Sequence, residues 1–211
     1  MSLTTPDFAR SALLTIDVQV DFSASGAPAE ILGTAAVVPN IARLLHAFRD
    51  AGRPIAHMVR LYQPDGSNVD LCRREQVAAG WSVVRPGSAG SQLMPELVHP
   101  GTELDPATLL NGHPQRIGEE EWVFYKPRWG AFFQTSLEVM LRGWGVNTLV
   151  VCGCNFPNCP RTSVYEASER DLRVVLVEDA ISGLYEQGRR EMENIGVTVT
   201  GVEECLRGLR G

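Results

Sequence analysis

The sequence predicts an α/β protein in which a mainly parallel, open sheet lies between two layers of helices. Two observations lead to this three-layer fold class. Short apolar runs rich in β-branched residues recur along the chain, as in strands that are buried on both faces. Segments with apolar residues at helical spacing separate these runs, and such alternation is typical of parallel sheets with right-handed crossovers. The 211 residues are expected to form one domain, residues 1–211.

The first half of the chain is predicted to contain two strands and one clear helix. Ala12–Val18 and Pro54–Val59 are the strands, and a helix between them ends before Gly52. The apolar residues on one face of this helix are Ile41, Leu44, Leu45 and Phe48. The region 60–121 is less regular, with one helix predicted around Val69–Ala79.

The alternation resumes in the second half. Four further strands are predicted, Trp122–Tyr125, Thr148–Cys152, Arg173–Val177 and Val197–Thr200. Three helices separate them. One has an apolar stripe of Leu137, Met140, Leu141 and Trp144, one follows Cys159, and one spans Tyr185–Ile195.

The composition argues against several classes of partner. The net charge of −6 does not favour nucleic acid or an anionic membrane. The opening segment lacks the features of a signal peptide, and no apolar run approaches the ~18 residues of a membrane span. Five unevenly spaced cysteines do not indicate a disulfide framework. We therefore expect a cytoplasmic protein that acts on a small molecule.

Three chemically capable residues are predicted to meet at one edge of the sheet. Asp17 lies near the end of the first strand, Lys126 directly follows Tyr125, and Cys159 lies in the turn after Thr148–Cys152. Ligands bind outside the carboxyl ends of the strands in open parallel sheets. Taken singly, these residues have ordinary explanations as a turn residue, a surface lysine and a small buried hydrophobe. Their convergence favours a site.

The sequence around Cys159 favours a reactive thiol. Pro160 suits the first position of a helix, which puts Cys159 at or near the N-cap. The helix dipole and the free N–H groups there favour a thiolate. Lys126 would strengthen this effect, and Asp17 could accept the thiol proton. With backbone N–H groups available for an oxyanion, these residues predict acyl transfer.

Three segments carry a family resemblance. LLTIDVQVDF contains Asp17, Gln19 and Phe22, YKPRWGAF contains Lys126, and GWGVNTLVVCG followed by GCNFPNC leads to Cys159. In this order they resemble the motifs of the isochorismatase-like cysteine hydrolases, a superfamily that includes nicotinamidases, N-carbamoylsarcosine amidases and ureidoacrylate amidohydrolases. The resemblance implies a Rossmann-like, isochorismatase-type fold and a homo-oligomer, either a dimer or a tetramer. It also implies that Asp17 is the general base, Lys126 an orienting lysine and Cys159 the nucleophile.

The resemblance further implies a cis peptide bond between Cys154 and Asn155. Such a bond would aim the N–H of Asn155 alongside that of Cys159, so that the two backbone groups form an oxyanion hole. In place of the Asp/His metal cluster of nicotinamidases, the chain has HMVRLYQPDGSNVD. No metal and no cofactor are therefore expected, and the predicted activity is hydrolysis of a small amide, ureido or carbamoyl compound at a non-peptide C–N bond.

Other readings of the same residues remain open. An isochorismatase-type vinyl-ether hydrolase would use Asp17 as an acid and would not need Cys159. A thiol redox or flavodoxin-like module would pair Cys154 with Cys159, although their spacing is not C-x-x-C. Zinc held by Cys152, Cys154 and Cys159 lacks a clear fourth ligand, and a phosphate-binding glycine motif is missing.

The sequence does not specify the substrate, but several residues are candidates for binding it. Arg60 follows the second strand and Arg128 lies beside Lys126, so that either could bind a carboxylate, although arginine is more often a surface residue. The predicted substrate-binding residues are Gln19, Phe22, Arg60, Trp129, Phe132 and Asn158.

Overall fold

The structure, a computed structural model, describes residues 2–211 and is built around a central sheet. The strands are β1 (Ser11–Ile16), β2 (Ile55–Val59), β3 (Gln115–Gly118), β4 (Glu121–Tyr125), β5 (Thr148–Gly153), β6 (Arg173–Ile181) and β7 (Thr198–Thr200). Within the described residues they form one seven-stranded sheet in the order β3-β4-β2-β1-β5-β6-β7. All neighbours pair in parallel except the edge strand β3, which is antiparallel to β4.

Helices lie between and beyond these strands. They are α1 (Val20–Ser23), α2 (Thr34–Asp50), α3 (Leu71–Ala78), α4 (Pro106–Leu110), α5 (Leu137–Gly143), α6 (Cys159–Ser168), α7 (Glu186–Asn194) and α8 (Val202–Arg210). Three short 3₁₀ helices lie at Phe8–Arg10, Ala89–Ser91 and Pro95–Leu97. No helix in this part of the chain combines the length and the apolarity needed to cross a membrane.

Two apolar layers enclose the sheet, as the alternation of side chains along a strand requires. Leu13 of β1 belongs to the layer beneath α2 and α8, where Leu44 and Phe48 are fully buried. Its neighbour Leu14 belongs to the opposite layer, which is packed against α5, α6 and α7. The predicted three-layer, mainly parallel fold is confirmed.

Some elements differ from the prediction. The polar, half-buried strand β3 gives no apolar signal, and the sequence pattern did not indicate it. Helix α8 was also missed, although its buried residues Val202 and Cys205 have helical spacing. Gly208 in this helix lets Phe8 pack closely, since a Cβ there would lie 2.4 Å from the Phe8 ring.

The topology places a crevice beside the first strand. From β1 the chain moves outward through β2 to β4, and then returns to β5 on the other side of β1. The carboxyl ends of β4, β2, β1 and β5 are consequently neighbours. A reversal of this kind is where open α/β sheets bind ligands.

Candidate active site

Asp17 and Lys126 form a buried ion pair at this edge of the sheet. Lys126 Nζ donates a hydrogen bond to Oδ2 of Asp17 at 2.9 Å, and both side chains are almost completely buried, with Lys126 0% and Asp17 4% exposed. The other carboxylate oxygen, Oδ1, is buried without a hydrogen-bond partner. The pair therefore contains one free proton acceptor.

The backbone at Asp17 is held in an uncommon conformation. Its φ of 55° lies in the left-handed region, which costs a non-glycine residue on the order of 1 kcal/mol or more. The Asp17 N–H donates to the Met58 carbonyl at 2.9 Å and anchors the turn to β2. On the other side, Gly153 approaches Ile16 so closely that a Cβ would lie 2.4 Å from the Ile16 oxygen. The neighbouring strands together enforce the conformation of Asp17.

Cys159 lies at the beginning of α6, where the sequence placed it. It is the first residue of the helix, Asn158 is the N-cap, and Pro160 occupies the second position. The side chain is 6% exposed. The Cys159 carbonyl accepts a hydrogen bond from Ser163 Oγ at 2.7 Å, which ties the first turn together.

The burial of Cys159 opposes the thiolate that the helix terminus favours. Burial raises the pKa of the Cys159 thiol to about 11, and the Asp17 carboxylate adds to this effect. Lys126 and Arg60 oppose it without cancelling it. These surroundings favour the protonated thiol, so that an attack on substrate calls for a base.

The other cysteines differ from Cys159 in their surroundings. Cys152 is fully buried, as expected for the end of an apolar strand, and burial raises its pKa above the usual range. Burial likewise raises the pKa of Cys205 to about 12. Cys154 and Cys159 are both free thiols and are not joined in a disulfide.

The predicted cis peptide bond between Cys154 and Asn155 is wrong. Every peptide bond within residues 2–211 is trans. Gly153, with φ 119°, has a backbone conformation that glycine adopts readily, at the end of β5. The N–H groups of Asn155 and Cys159 still find no acceptor within the described residues, so both remain available to an oxyanion.

A small pocket opens onto the acid, the thiol and the turn. Its volume is only about 10 Å³, and its wall includes Asp17 and Cys159 together with the predicted Phe22, Asn155 and Asn158. Drug-sized ligands usually occupy pockets of about 300–1,000 Å³. The recess therefore marks where the candidate site lies and does not define the size of a substrate.

Four predicted binding residues do not line this pocket, namely Gln19, Arg60, Trp129 and Phe132. The fully buried Gln19 donates through Nε2 to the carbonyls of Arg60 and Ser91 and accepts the Arg60 N–H through Oε1. It positions the backbone at the end of β2. Trp129 and Phe132 pack against the core layer beneath α5 and α6.

The arginine candidates lie in different surroundings. Arg60 is fully buried rather than at the surface, and its Nη2 donates to Asp70. Arg128 Nη1 donates to the carbonyls of Pro127 and Asn68 at 2.7 and 3.3 Å. The Arg128 guanidinium is thus engaged by backbone.

Sequence reasoning missed other residues at the pocket. Arg73, Ile31 and Cys154 lie in its wall. For Arg73 a signal existed, because Asp70 and Arg73 stand three residues apart at the start of α3 and form an ion pair. Among residues 2–211, no group of three or more His, Cys, Asp or Glu side chains has an arrangement that could hold a metal ion.

Comparison with known proteins shows which family the chain resembles. The family model described as the isochorismatase domain matches residues 11–204. A protein of Arabidopsis thaliana described as "Probable inactive nicotinamidase" is 31% identical over 199 residues, 92% of this chain and 93% of that protein. Maleamate amidohydrolase from Pseudomonas putida is 31% identical over 172 residues, 82% of this chain and 72% of that enzyme.

A solved structure shows the same likeness. The crystal structure of an isochorismatase family protein from Desulfovibrio vulgaris has a TM-score of 0.81 and 31% identity, and the match covers 96% of this chain and 99% of the other. The fold and the site thus define a hydrolase of the α/β class. The chain belongs to the isochorismatase family, which confirms the resemblance found in the sequence.

Proposed function

We propose that this chain is a cysteine-dependent hydrolase that cleaves a small amide, ureido or carbamoyl compound through a thioester acyl-enzyme. One observation carries the proposal: a buried Asp17–Lys126 pair with a free carboxylate oxygen lies beside a thiol at a helix N-terminus. The similarity to maleamate amidohydrolase supports a reaction at a C–N bond other than a peptide bond.

In the first half of this reaction, the Cys159 sulfur attacks the substrate carbonyl carbon while Asp17 Oδ1 takes the thiol proton. The N–H groups of Asn155 and Cys159 stabilise the negative oxygen of the tetrahedral intermediate. When the C–N bond breaks, Asp17 returns the proton to the leaving amine. The product of this half is a thioester on Cys159 and a free amine or ammonia.

In the second half, water attacks the thioester carbon and gives its proton to Asp17. The C–S bond then breaks, the carboxylic acid leaves, and the Cys159 sulfur regains the proton. Lys126 keeps the charge of Asp17 compensated in both halves and holds the carboxylate in place.

The protonated thiol makes the base essential. Burial and the Asp17 carboxylate raise the pKa of the Cys159 thiol, so that the thiolate is the minor form at neutral pH. Proton transfer to Asp17 during the attack removes the need to populate a free thiolate. A weak nucleophile is commonly activated in this way by an adjacent general base.

An isochorismatase-type vinyl-ether reaction is the alternative for this family, and it would not use the thiol. Replacement of Cys159 therefore separates the two proposals. We expect ammonia release from a panel of small amides, ureas and carbamoyl acids to identify a substrate of the wild-type protein. Cys159→Ala should then lose at least about a thousandfold in kcat.

The matched control is Cys205→Ala, which removes a buried thiol remote from the pocket. It should retain most of the activity, and circular dichroism should show both variants folded. A folded Cys159→Ala protein with wild-type turnover would reject the thioester mechanism.

A further inference from the structure

Phe156 anchors the turn between β5 and α6 in the core, and the proposed reaction does not use its side chain. That side chain is fully buried in the apolar layer packed against α6 and α7. The Phe156 N–H donates to the Ser182 carbonyl at 2.8 Å, and the Phe156 carbonyl accepts the Arg161 N–H at 3.2 Å. Neighbouring elements therefore hold both the side chain and the backbone of this residue.

The Phe156 ring has space because residue 188 is a glycine. Gly188 lies in α7, and a Cβ at this position would be 2.4 Å from Cε1 of Phe156 and 3.1 Å from its Cζ. Carbon atoms in contact are normally about 3.5–4.0 Å apart, so that a Cβ would displace the ring. The backbone of Gly188 is not left-handed, and glycine is a poor helix former. The close approach of the ring is thus the physical reason for a glycine here.

Two further side chains hold the Phe156 ring in this position. The Tyr185 ring meets it edge-on, with the ring centroids 5.6 Å apart and an interplanar angle of 73°. The Arg161 guanidinium lies 5.9 Å from the centroid of the Phe156 ring, within range of a cation–π contact. Arg161 Nη1 also donates to the Tyr185 hydroxyl at 2.6 Å, and its Nη2 donates to Glu191. The side chains that enclose the ring consequently bind one another as well.

The anchored residue directly follows Asn155, whose N–H is a proposed oxyanion donor. The Asn155 carbonyl accepts the Asn158 N–H at 3.1 Å, and Asn158 Nδ2 donates to Asn155 Oδ1 at 3.2 Å. Cys159 is held separately, within α6, where its carbonyl accepts from Ser163 Oγ. A shift of Phe156 therefore moves the Asn155 N–H relative to the Cys159 N–H. Oxyanion donors act over about 2.7–3.1 Å, so that a small displacement weakens them.

We propose that Phe156, packed against Gly188, is a positioning residue that places the Asn155 N–H in the oxyanion hole. Neither Phe156 nor Gly188 lines the pocket, so that their effect reaches the reaction through the turn. The proposal rests on the proposed function, which assigns the Asn155 N–H to the oxyanion. It predicts that a change in α7 slows acyl transfer to Cys159 without changing the thiol itself.

Gly188→Ala tests the proposal with p-nitrophenyl acetate as the acyl donor. The Cys159 sulfur forms a C–S bond to the acetyl carbon through a tetrahedral oxyanion, the C–O bond breaks, and p-nitrophenol leaves with the thiol proton. The rate of p-nitrophenol release, corrected for that of Cys159→Ala, should fall at least about tenfold, because one oxyanion donor is displaced. Gly143→Ala is the matched control, since Gly143 ends α5 and a Cβ there would meet no described residue within 4 Å. The control should react at the wild-type rate.

Alkylation by iodoacetamide distinguishes a positioning role from a merely structural one. This reaction displaces iodide at a saturated carbon and forms no oxyanion, so that it does not need the Asn155 N–H. Peptide mapping should therefore show that Cys159 of Gly188→Ala is alkylated at about the wild-type rate. A parallel loss of acylation and alkylation would overturn the proposal, because the substitution would then act on Cys159 itself.

Phe156→Leu shows whether the ring carries the effect. Leucine lacks the Cε1 and Cζ atoms that a Cβ at residue 188 would meet. The single variant loosens the turn and should slow acylation but not alkylation, so that it carries the test if circular dichroism shows Gly188→Ala unfolded. In the double variant the collision is absent, and the loss should be smaller than the product of the two single losses. Losses that simply multiply would contradict the proposed contact.

The wild-type protein separates this inference from the proposed function. If p-nitrophenyl acetate does not acylate Cys159 of the wild-type protein, the proposed function is rejected and the inference falls with it. If Cys159 is acylated, and the folded variants Gly188→Ala and Phe156→Leu react at the wild-type rate, the inference is rejected and the proposed function stands.

Discussion

At the scale of single residues, Asp17 combines three roles through its strained backbone. The left-handed turn directs Oδ2 to Lys126 and leaves Oδ1 unpartnered in the pocket region. The same carboxylate raises the pKa of the Cys159 thiol. A base of this kind suppresses the free thiolate at rest and accepts the proton only when the attack begins.

These opposed effects give a prediction for Asp17→Asn. Removal of the charge should lower the pKa of the Cys159 thiol, so that iodoacetamide alkylates it faster than in the wild-type protein at the same pH. Hydrolysis should nevertheless fall by at least about a hundredfold, because the general base is lost. Peptide mapping by mass spectrometry measures the alkylation of Cys159, and Cys205 serves as the internal reference. Slower alkylation of Cys159 in Asp17→Asn would contradict the assigned electrostatics.

The sequence indicated which residues meet at the candidate site, but it did not indicate the ionisation state of the Cys159 thiol. Asp17, Lys126 and Cys159 could be selected because their chemistry lies at strand ends that a parallel sheet brings together. The ionisation of the thiol could not be predicted, since it depends on burial that only the packed turn reveals. The helix N-terminus favours the thiolate, whereas the burial of Cys159, which is 6% exposed, raises the pKa of its thiol.

At the scale of elements, α6 and the loop after β4 are joined by two side chains. Ser163 Oγ accepts the Ala131 N–H at 3.1 Å while it donates to the Cys159 carbonyl. Glu166 Oε2 accepts the Phe132 N–H at 2.8 Å. These bonds fix the helix that carries Cys159, the proposed nucleophile, to the loop that follows Lys126.

Ser163→Ala tests this connection. The fully buried hydroxyl satisfies the Ala131 N–H, so its loss should lower the free energy of unfolding by about 1–3 kcal/mol. We also expect kcat to fall while alkylation of Cys159 remains possible. Urea denaturation measures the stability, and Ser168→Ala at the other end of α6 is the control. A variant as stable and as active as the control would show that the connection has no role.

The central strands and α2 could be predicted, whereas β3 and α8 were not. Strands β1 and β5 are entirely buried, and α2 buries one apolar face, so that their sequences show an apolar pattern. The half-buried β3 is defined by pairing with β4, which is a tertiary property. The close approach of Gly153 to Ile16 is likewise a tertiary property that the sequence pattern does not show.

At the scale of the whole molecule, a second buried polar cluster lies near the opposite end of the sheet. Glu121 accepts hydrogen bonds from Arg49 Nη2 and from His57 Nε2, each at 2.7 Å, and His57 Nδ1 lies 2.7 Å from Thr15 Oγ1. Burial opposes the charge of Glu121, but the hydrogen bonds from Arg49 and His57 outweigh it and lower the pKa to about 2. This cluster joins α2, β1, β2 and β4.

The lowered pKa of Glu121 predicts a pH dependence of stability. A carboxyl group with a depressed folded-state pKa stabilises the fold above its unfolded value of about 4.3, and that contribution disappears as the pH falls towards 2. Glu121→Gln should therefore be less stable than the wild-type protein at pH 7, and the difference should shrink between about pH 4.3 and 2. Denaturation curves across this range measure the difference. Glu119→Gln, on the exposed neighbouring turn, is the control. A constant difference down to pH 2 would contradict the account.

The most direct test of the central claim is detection of the acyl-enzyme. Wild-type protein is mixed with the substrate found by ammonia release, quenched in acid, digested and examined by mass spectrometry. The account predicts that the peptide containing Cys159 gains the mass of the acyl group, that hydroxylamine removes it, and that Cys159→Ala shows neither the adduct nor turnover. Full hydrolysis by Cys159→Ala, or an acyl group on any other residue, would contradict it.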